Sequence, residues 1–172
     1  MVENKYNRLL CPVIIILAVL ILDQVTKLWA VRSLIDKDSV EVLGRFFMLT
    51  LVYNEGGALG TSIGSSNLYL VISIVILPLL IFYLYQYRER RIICLPIAFI
   101  AGGAIGNIID RIYLGKVIDF IDIDFFDFSI FGRNIERWWT FNIADAAISC
   151  GIVFLIIVSF IPAKKSDHNP AN

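Results

Sequence analysis

The residues of this chain best suited to chemistry are carboxylates standing at the mouths of apolar segments. Between Gly103 and Asp145 an apolar run ends at Asp110 and Arg111, an acidic loop follows, and a second apolar run opens through Asn142 and Asp145. Charged groups at bilayer depth are expensive, so acids gathered there point either to function or to structural pairing. The run Val117-Ile118-Asp119-Phe120-Ile121-Asp122-Ile123-Asp124-Phe125 alternates as an extended strand does. Strand parity puts Asp119 on one face with Val117, Ile121, Ile123 and Phe125, and sends Asp122 and Asp124 to the other. A carboxyl among aliphatic neighbours is desolvated and its ionised form disfavoured, whereas Asp122 and Asp124 read as solvated acids. Asp145 admits two readings. Asn142 followed by Asp145 matches a helix N-cap with an acid at the third helical position, favoured by the helix dipole. Alternatively Asp145 is the partner of Asp119, and two carboxylates brought together share one proton.

Other polar residues lie where they could support such a pair. Asp23 and Lys27 are four apart on one helical face with Thr26 beside them, an ion pair that neutralises itself near the end of a span. Asn54-Glu55-Gly56-Gly57-Ala58-Leu59-Gly60 is a plain turn or a substrate loop, since Asn and Gly tolerate positive φ. Gly103, Asn107, Asp110 and Arg111 recur at three- and four-residue spacing and are expected on one face. Gly102, Gly103, Ala104 and Gly106 form a seam of small residues suited to close helix packing. Arg111 could grip a phosphate or carboxylate, or could cap the helix end with Asp110 among lipid headgroups.

The elements that must position these residues are membrane spans. The 172 residues are 58% hydrophobic and 17% charged, with a mean hydropathy of +0.77, against about 45–50% apolar and about 25% charged in soluble domains. The expected fold is an α-helical integral membrane protein, one domain over 1–172. Its spans are about 9–30, 68–87, 92–111 and 141–161, joined by outer loops at about 31–67 and 112–140. Phe46 to Tyr53 is rich in β-formers and predicts one or two strands on the membrane surface, a small extracytoplasmic β-rich element. The first apolar run is too long for the core of a cleaved signal peptide and ends without a small-residue cleavage pattern. Pro78 predicts a kink or irregularity in the second span. Lys5 and Arg8, Arg88, Arg90 and Arg91, and Lys164 and Lys165 fall on one side of four spans, which makes that side, with both termini, cytoplasmic.

Fifteen basic and fifteen acidic side chains balance without a basic block, which argues against nucleic acid as a partner. Cys11, Cys94 and Cys150 share no metal-ligand spacing and the single histidine, His168, lies in the polar tail, so neither a disulfide framework nor a metal site is indicated. A small transporter or proton-relay protein is the rival class, because Asp23, Asp110 and Asp145 could mark an ion path. Such proteins place charges near the midplane and often carry internal repeats, whereas here the acids gather at one face and no repeat is seen. A non-catalytic assembly subunit, with Asp119 and Asp145 as surface or capping residues, is a third.

Five motifs in order, DQVTK with Asp23 and Lys27, NEGGAL at Asn54 to Leu59, GNIIDR at Gly106 to Arg111, VIDF at Val117 to Phe120 and FNIAD at Phe141 to Asp145, resemble prolipoprotein signal peptidase, the type II signal peptidase of bacterial membranes. The resemblance covers nearly the whole chain. It implies an aspartic endopeptidase that hydrolyses the bond before a diacylglyceryl-modified cysteine in a lipidated prolipoprotein. Catalysis would fall to Asp119 and Asp145, with Asn54, Gly56, Asn107, Asp110, Arg111 and Asn142, and Asp23 and Lys27, contacting substrate or supporting the site. The expected setting is the bacterial cytoplasmic membrane with the site at its outer face, in contact with lipid, as a monomer and without metal or other cofactor. Two departures from the family pattern are Leu59, where an aromatic residue is usual, and a longer segment between the aspartates around Asp124 to Arg137; both bear on the loops that cover substrate.

Overall fold

A computed structural model describes residues 7–56, 65–124, 128–130, 133–135 and 140–160. Four helices carry the apolar runs: α1 (Asn7–Leu34), α2 (Ser66–Gln86), α3 (Arg91–Leu114) and α4 (Ile143–Ser159). Each is longer or shorter than the hydrophobic run that announced it, because helices end where capping and packing end, not where hydropathy falls. With 28 residues, α1 reaches about 42 Å at 1.5 Å per residue. Its last turn leaves the apolar run to bury Leu34 with Ala30 and Phe120 beneath a sheet. The 17 residues of α4 span about 25 Å, near the lower limit for a crossing helix. The other three helices exceed that limit and are strongly apolar.

The helix surfaces explain the environment. Val71, Val75, Leu79 and Phe82 of α2 are each more than half exposed, and Leu84 is its one buried residue. In water such a face would be a large apolar patch seeking a partner, whereas lipid tails cover it without cost. The protein is therefore membrane-embedded. α2 continues as helix on both sides of Pro78.

α3 is the central helix and packs against α1, α2 and α4. Small residues make this possible, as the GGAIG seam predicted. A Cβ on Gly102 would meet the Ile16 carbonyl and the Val19 side chain at 3.0 Å, and one on Gly103 would strike the backbone of Ala144. α3 ends at Gly115, whose φ of 71° is left-handed and whose N–H donates to the Arg111 carbonyl at 3.1 Å. That turn reverses the chain straight into a strand.

The strands lie at one end of the helices. β1 (Val40–Leu43), β2 (Phe47–Asn54) and β3 (Val117–Ile123) form an antiparallel sheet in the order β1-β2-β3. β2 and β3 were legible as strands. β1 was not, since four residues, one of them the charged Glu41, give little periodicity. A register shift between Leu49 and Val52 sets Val52 opposite Asp119 and Asn54 opposite Val117. β4 (Phe128–Ile130) and β5 (Arg133–Ile135) pair as a short antiparallel ribbon within the long loop between Asp119 and Asp145. Gly57 to Gly64, including Leu59, lie outside the described residues, as do Lys5 and the tail with Lys164, Lys165 and His168.

Candidate active site

Asp119 sits in the first half of β3 and is 1% exposed. It is not simply a carboxyl among aliphatics: both its oxygens are hydrogen-bonded. Asn142 Nδ2 donates to Oδ1 at 2.7 Å and Asn54 Nδ2 donates to Oδ2 at 2.9 Å. The Asn54 amide is itself oriented, because the Gly56 N–H donates to its Oδ1 at 2.9 Å and leaves Nδ2 facing the acid. Gly56 therefore serves through its backbone, and the turn read from NEGGALG is an aiming device at its described end.

Asp145 occupies the capping position that the sequence suggested, and it also joins the cluster around Asp119. Asn142 caps α4, its Oδ1 accepting from the Asp145 N–H at 2.8 Å while Asp145 Oδ2 accepts from the Asn142 N–H at 3.3 Å. The other carboxylate oxygen, Oδ1, accepts from Asn107 Nδ2 at 2.8 Å. The capping box and the pairing of acids are one arrangement. Because the helix start engages the Asn142 oxygen, its NH2 is left for Asp119, and it also lies 3.2 Å from the Ile118 carbonyl and 3.2 Å from Asn107 Oδ1.

Beneath the two acids lies a buried ionic cluster. Lys27 Nζ is 2.8 Å from Asp23 Oδ2 and 2.8 Å from Asp110 Oδ2, and donates to Asn107 Oδ1 at 3.0 Å. Asp23, Lys27 and Asp110 are all under 5% exposed. Asp23 further accepts from the Ala144 N–H at 2.9 Å, which ties α1 to the start of α4, and Asp110 accepts from the Ile118 N–H at 3.2 Å, which ties α3 to β3. Gly106 is required here: a Cβ would come within 2.5 Å of the Asp23 carboxylate. An unpaired charge at this depth would be strongly destabilising, so the cluster stands or falls together.

Arg111 stands beside this network and is only loosely engaged. One terminal nitrogen is 3.5 Å from the Asn107 carbonyl and the guanidinium lies 5.8 Å from the Tyr69 ring centre. Its Nε is buried and has no hydrogen-bond partner among the described residues. A buried N–H left unmade is costly.

Three expectations need correcting. Asp110 and Arg111 do not share a face, because successive helical residues are about 100° apart: Asp110 turns to Lys27 and Arg111 to Tyr69. Nor do they form an exposed cap. Asp122 is not a solvated acid: it is 7% exposed and accepts from Thr50 Oγ1 of the neighbouring strand at 2.9 Å. Asp124 is half-buried, its N–H donating to the Phe46 carbonyl at 2.9 Å. Gln24 was missed altogether. Its amide reaches Asp23 Oδ2, the Gly106 carbonyl and Asp110 Oδ1 at 3.1–3.3 Å, and only its adjacency to Asp23 in DQVTK hinted at it.

The electrostatics separate Asp119 from an ordinary acid. Burial, and then the negative charge of Asp145, push its carboxyl up to about 7, against the opposing pull of Asn54, Asn142 and Lys27. A carboxyl that keeps its proton near neutrality, beside a second carboxylate at a helix N-terminus, is equipped for general acid–base chemistry on a polar bond.

Residues 15–161 match the family model described as signal peptidase (SPase) II. The lipoprotein signal peptidase of Syntrophomonas wolfei is 34% identical over 154 residues, covering 89% of this chain and 95% of its own. That of Pelodictyon phaeoclathratiforme is 40% identical over 145 residues, covering 83% and 86%. Among solved structures, a bacterial membrane enzyme determined by the in meso method superposes with a TM-score of 0.73 at 30% identity, over 91% of this chain and 94% of the other. With matched helices, matched length and the buried acids standing in the motifs that carry the likeness, the chain belongs to the signal peptidase II family.

Proposed function

We propose that Asp119 and Asp145 are the catalytic dyad with which this signal peptidase hydrolyses the bond preceding the lipidated cysteine of a prolipoprotein. The observation that carries the reading is that Asn142 donates to Asp119 while capping the helix that holds Asp145. One fixed side chain thus sets both acids in register. Asp145, at the N-terminal turn of α4, is the ionised member and takes a proton from water. The water oxygen attacks the scissile carbonyl carbon, and protonated Asp119 donates to the carbonyl oxygen. The tetrahedral adduct then breaks its C–N bond as Asp145 passes the proton to the leaving amine and Asp119 recovers its own. Arg111 and Asn54 hold the substrate: Arg111 offers the unmade Nε–H to an oxygen, and Asn54 has donor and acceptor character suited to an extended backbone.

We take the whole chain as one peptidase domain that works as a monomer. The reading sets the site at the outer face of the cytoplasmic membrane. Its support is that Arg8, Arg88, Arg90 and Arg91 lie at the opposite helix ends, where Arg8 meets Glu89 at 2.7 Å. Lipid tails of the substrate lie between helices, with the scissile bond at the surface where water enters. The purified protein in detergent is expected to release the signal peptide from a diacylglyceryl-modified precursor, with chelator present, and to leave the unlipidated precursor intact. Cleavage of both precursors alike, or loss of cleavage on chelation, would count against it.

A further inference from the structure

Lys27 is a buried cation that the chemistry above does not use. Two of its contacts, with Asp23 and Asp110, are ion pairs that hold α1 to α3, and these alone would make it a structural strut. The third contact is different. An ammonium has only donors, so the atom of Asn107 that faces it at 3.0 Å must be the amide oxygen. The Asn107 NH2 is then forced to the opposite side, where it meets Asp145 Oδ1 at 2.8 Å. Without the ammonium the Asn107 oxygen keeps just the longer contact from Asn142 Nδ2, and the amide is less firmly held with its NH2 toward Asp145. The same oxygen also receives Asn142 Nδ2 at 3.2 Å, so the orientation of Asn107 is shared with the residue that serves Asp119.

We infer that Lys27 is a positioning residue for the dyad, acting through the Asn107 amide to keep Asp145 a hydrogen-bond acceptor and hence the charged member of the pair. The inference rests on the dyad reading. Asp23 and Asp110 hold the ammonium in place, and Gln24 donates to both acids. Among the described residues, Asp23 and Lys27 from α1 and Arg111 from α3 act on the dyad through their charge, with Asp110 beside Lys27 and Tyr69 beside Arg111; of these, Lys27 reaches Asp145 through the side chain of Asn107. Its positive field also reaches Asp119.

The test is the pH profile of kcat/KM for Lys27→Met and Asn107→Asp, with Asp119→Asn and Asp145→Asn in the same series, each first shown to be folded by its elution and thermal transition in detergent. Loss of the cation makes ionisation of the dyad harder, so in folded Lys27→Met the acid limb moves to higher pH by about one unit, within the range expected for removal of a nearby opposite charge. Lys27→Arg, which restores charge and donors, returns the limb toward its original position. Should Lys27→Met fail to fold, Asn107→Asp decides: it keeps the ion pairs but presents Asp145 with a like charge, so turnover falls about 100-fold or more with KM little changed. An acid limb unmoved in folded Lys27→Met, or wild-type turnover in Asn107→Asp, overturns the inference while leaving the dyad intact. Activity in Asp119→Asn or Asp145→Asn would instead overturn the dyad reading beneath it.

Discussion

Asn142 donates its amide to Asp119 over 2.7 Å while its oxygen accepts the Asp145 N–H over 2.8 Å, so a single side chain both starts a helix and aligns two acids. The two roles separate by substitution. Asn142→Ala removes cap and donor together and is expected to lower stability by about 1 kcal/mol and abolish cleavage. Asn142→Asp keeps an oxygen for the cap but replaces the donor with a third carboxylate. It should melt below the parent, because a buried oxygen then faces the acceptors that Nδ2 served, and it should fail to cleave. Thermal transitions of both variants beside cleavage rates check this; an active Asn142→Asp would mean that the contact with Asp119 is incidental.

The proton on Asp119 gives the protein a pH signature. Its carboxyl is raised to about 7 in the fold, above its ordinary value near 3.8. The folded state therefore binds the proton more tightly than the unfolded one, and this contribution to stability is complete below the ordinary carboxylate range and is lost as pH rises through about 7. Cleavage should decline as pH rises beyond about 7, where Asp119 gives up its proton. Asp119→Asn, which cannot ionise, should raise the thermal transition at pH 8 and have little effect at pH 4. An equal effect at both pH values would contradict the assignment.

Two glycines on α3 make opposite demands. At Gly106 an alanine Cβ would displace the Asp23 carboxylate and with it the hold on Lys27, so Gly106→Ala is expected to lose both yield of folded protein and activity. At Gly115 nothing crowds the Cβ, but φ is 71°, so Gly115→Ala should cost about 1 kcal/mol and leave cleavage unchanged. Comparable loss of activity at both positions would show that the close approach at Gly106 has no special part in the site.

Charge placement fixes a further outcome. Cysteine introduced at Ser39, beyond the sheet end of α1, should react with an impermeant reagent from outside intact cells, and cysteine at Ser129 in β4 should do the same. Reaction only after lysis would reverse the orientation.

How far the sequence could be read depended on whether a feature is local. Spans, the seam of small residues, β3 and the cap at Asn142 are written in periodicity and near-neighbour spacing, and Asp119 followed from strand parity. The cluster was not legible in that way. Asp110 meets Lys27 across 83 positions and Gln24 reaches Asp110 across 86, and neither pairing has any trace in local spacing. Asp122 misled for the same reason: parity sent it to the far face of β3, but Thr50 of the neighbouring β2, supplied from elsewhere in the chain, bonds it there. Asp122→Asn is accordingly expected to cost some stability and to retain most activity. The motif resemblance carries long-range arrangement that one sequence does not display, and residues it singled out meet in one hydrogen-bonded network.

The most direct measurement is cleavage of a lipidated precursor by purified Asp119→Asn, Asp145→Asn and the double variant, each in detergent and each shown to be folded. Residues that share one proton act as a unit and their losses do not add. Each single change should therefore abolish cleavage and the double change should bring no further loss. Robust cleavage by either single variant, or stepwise losses that multiply in the double, would contradict the dyad.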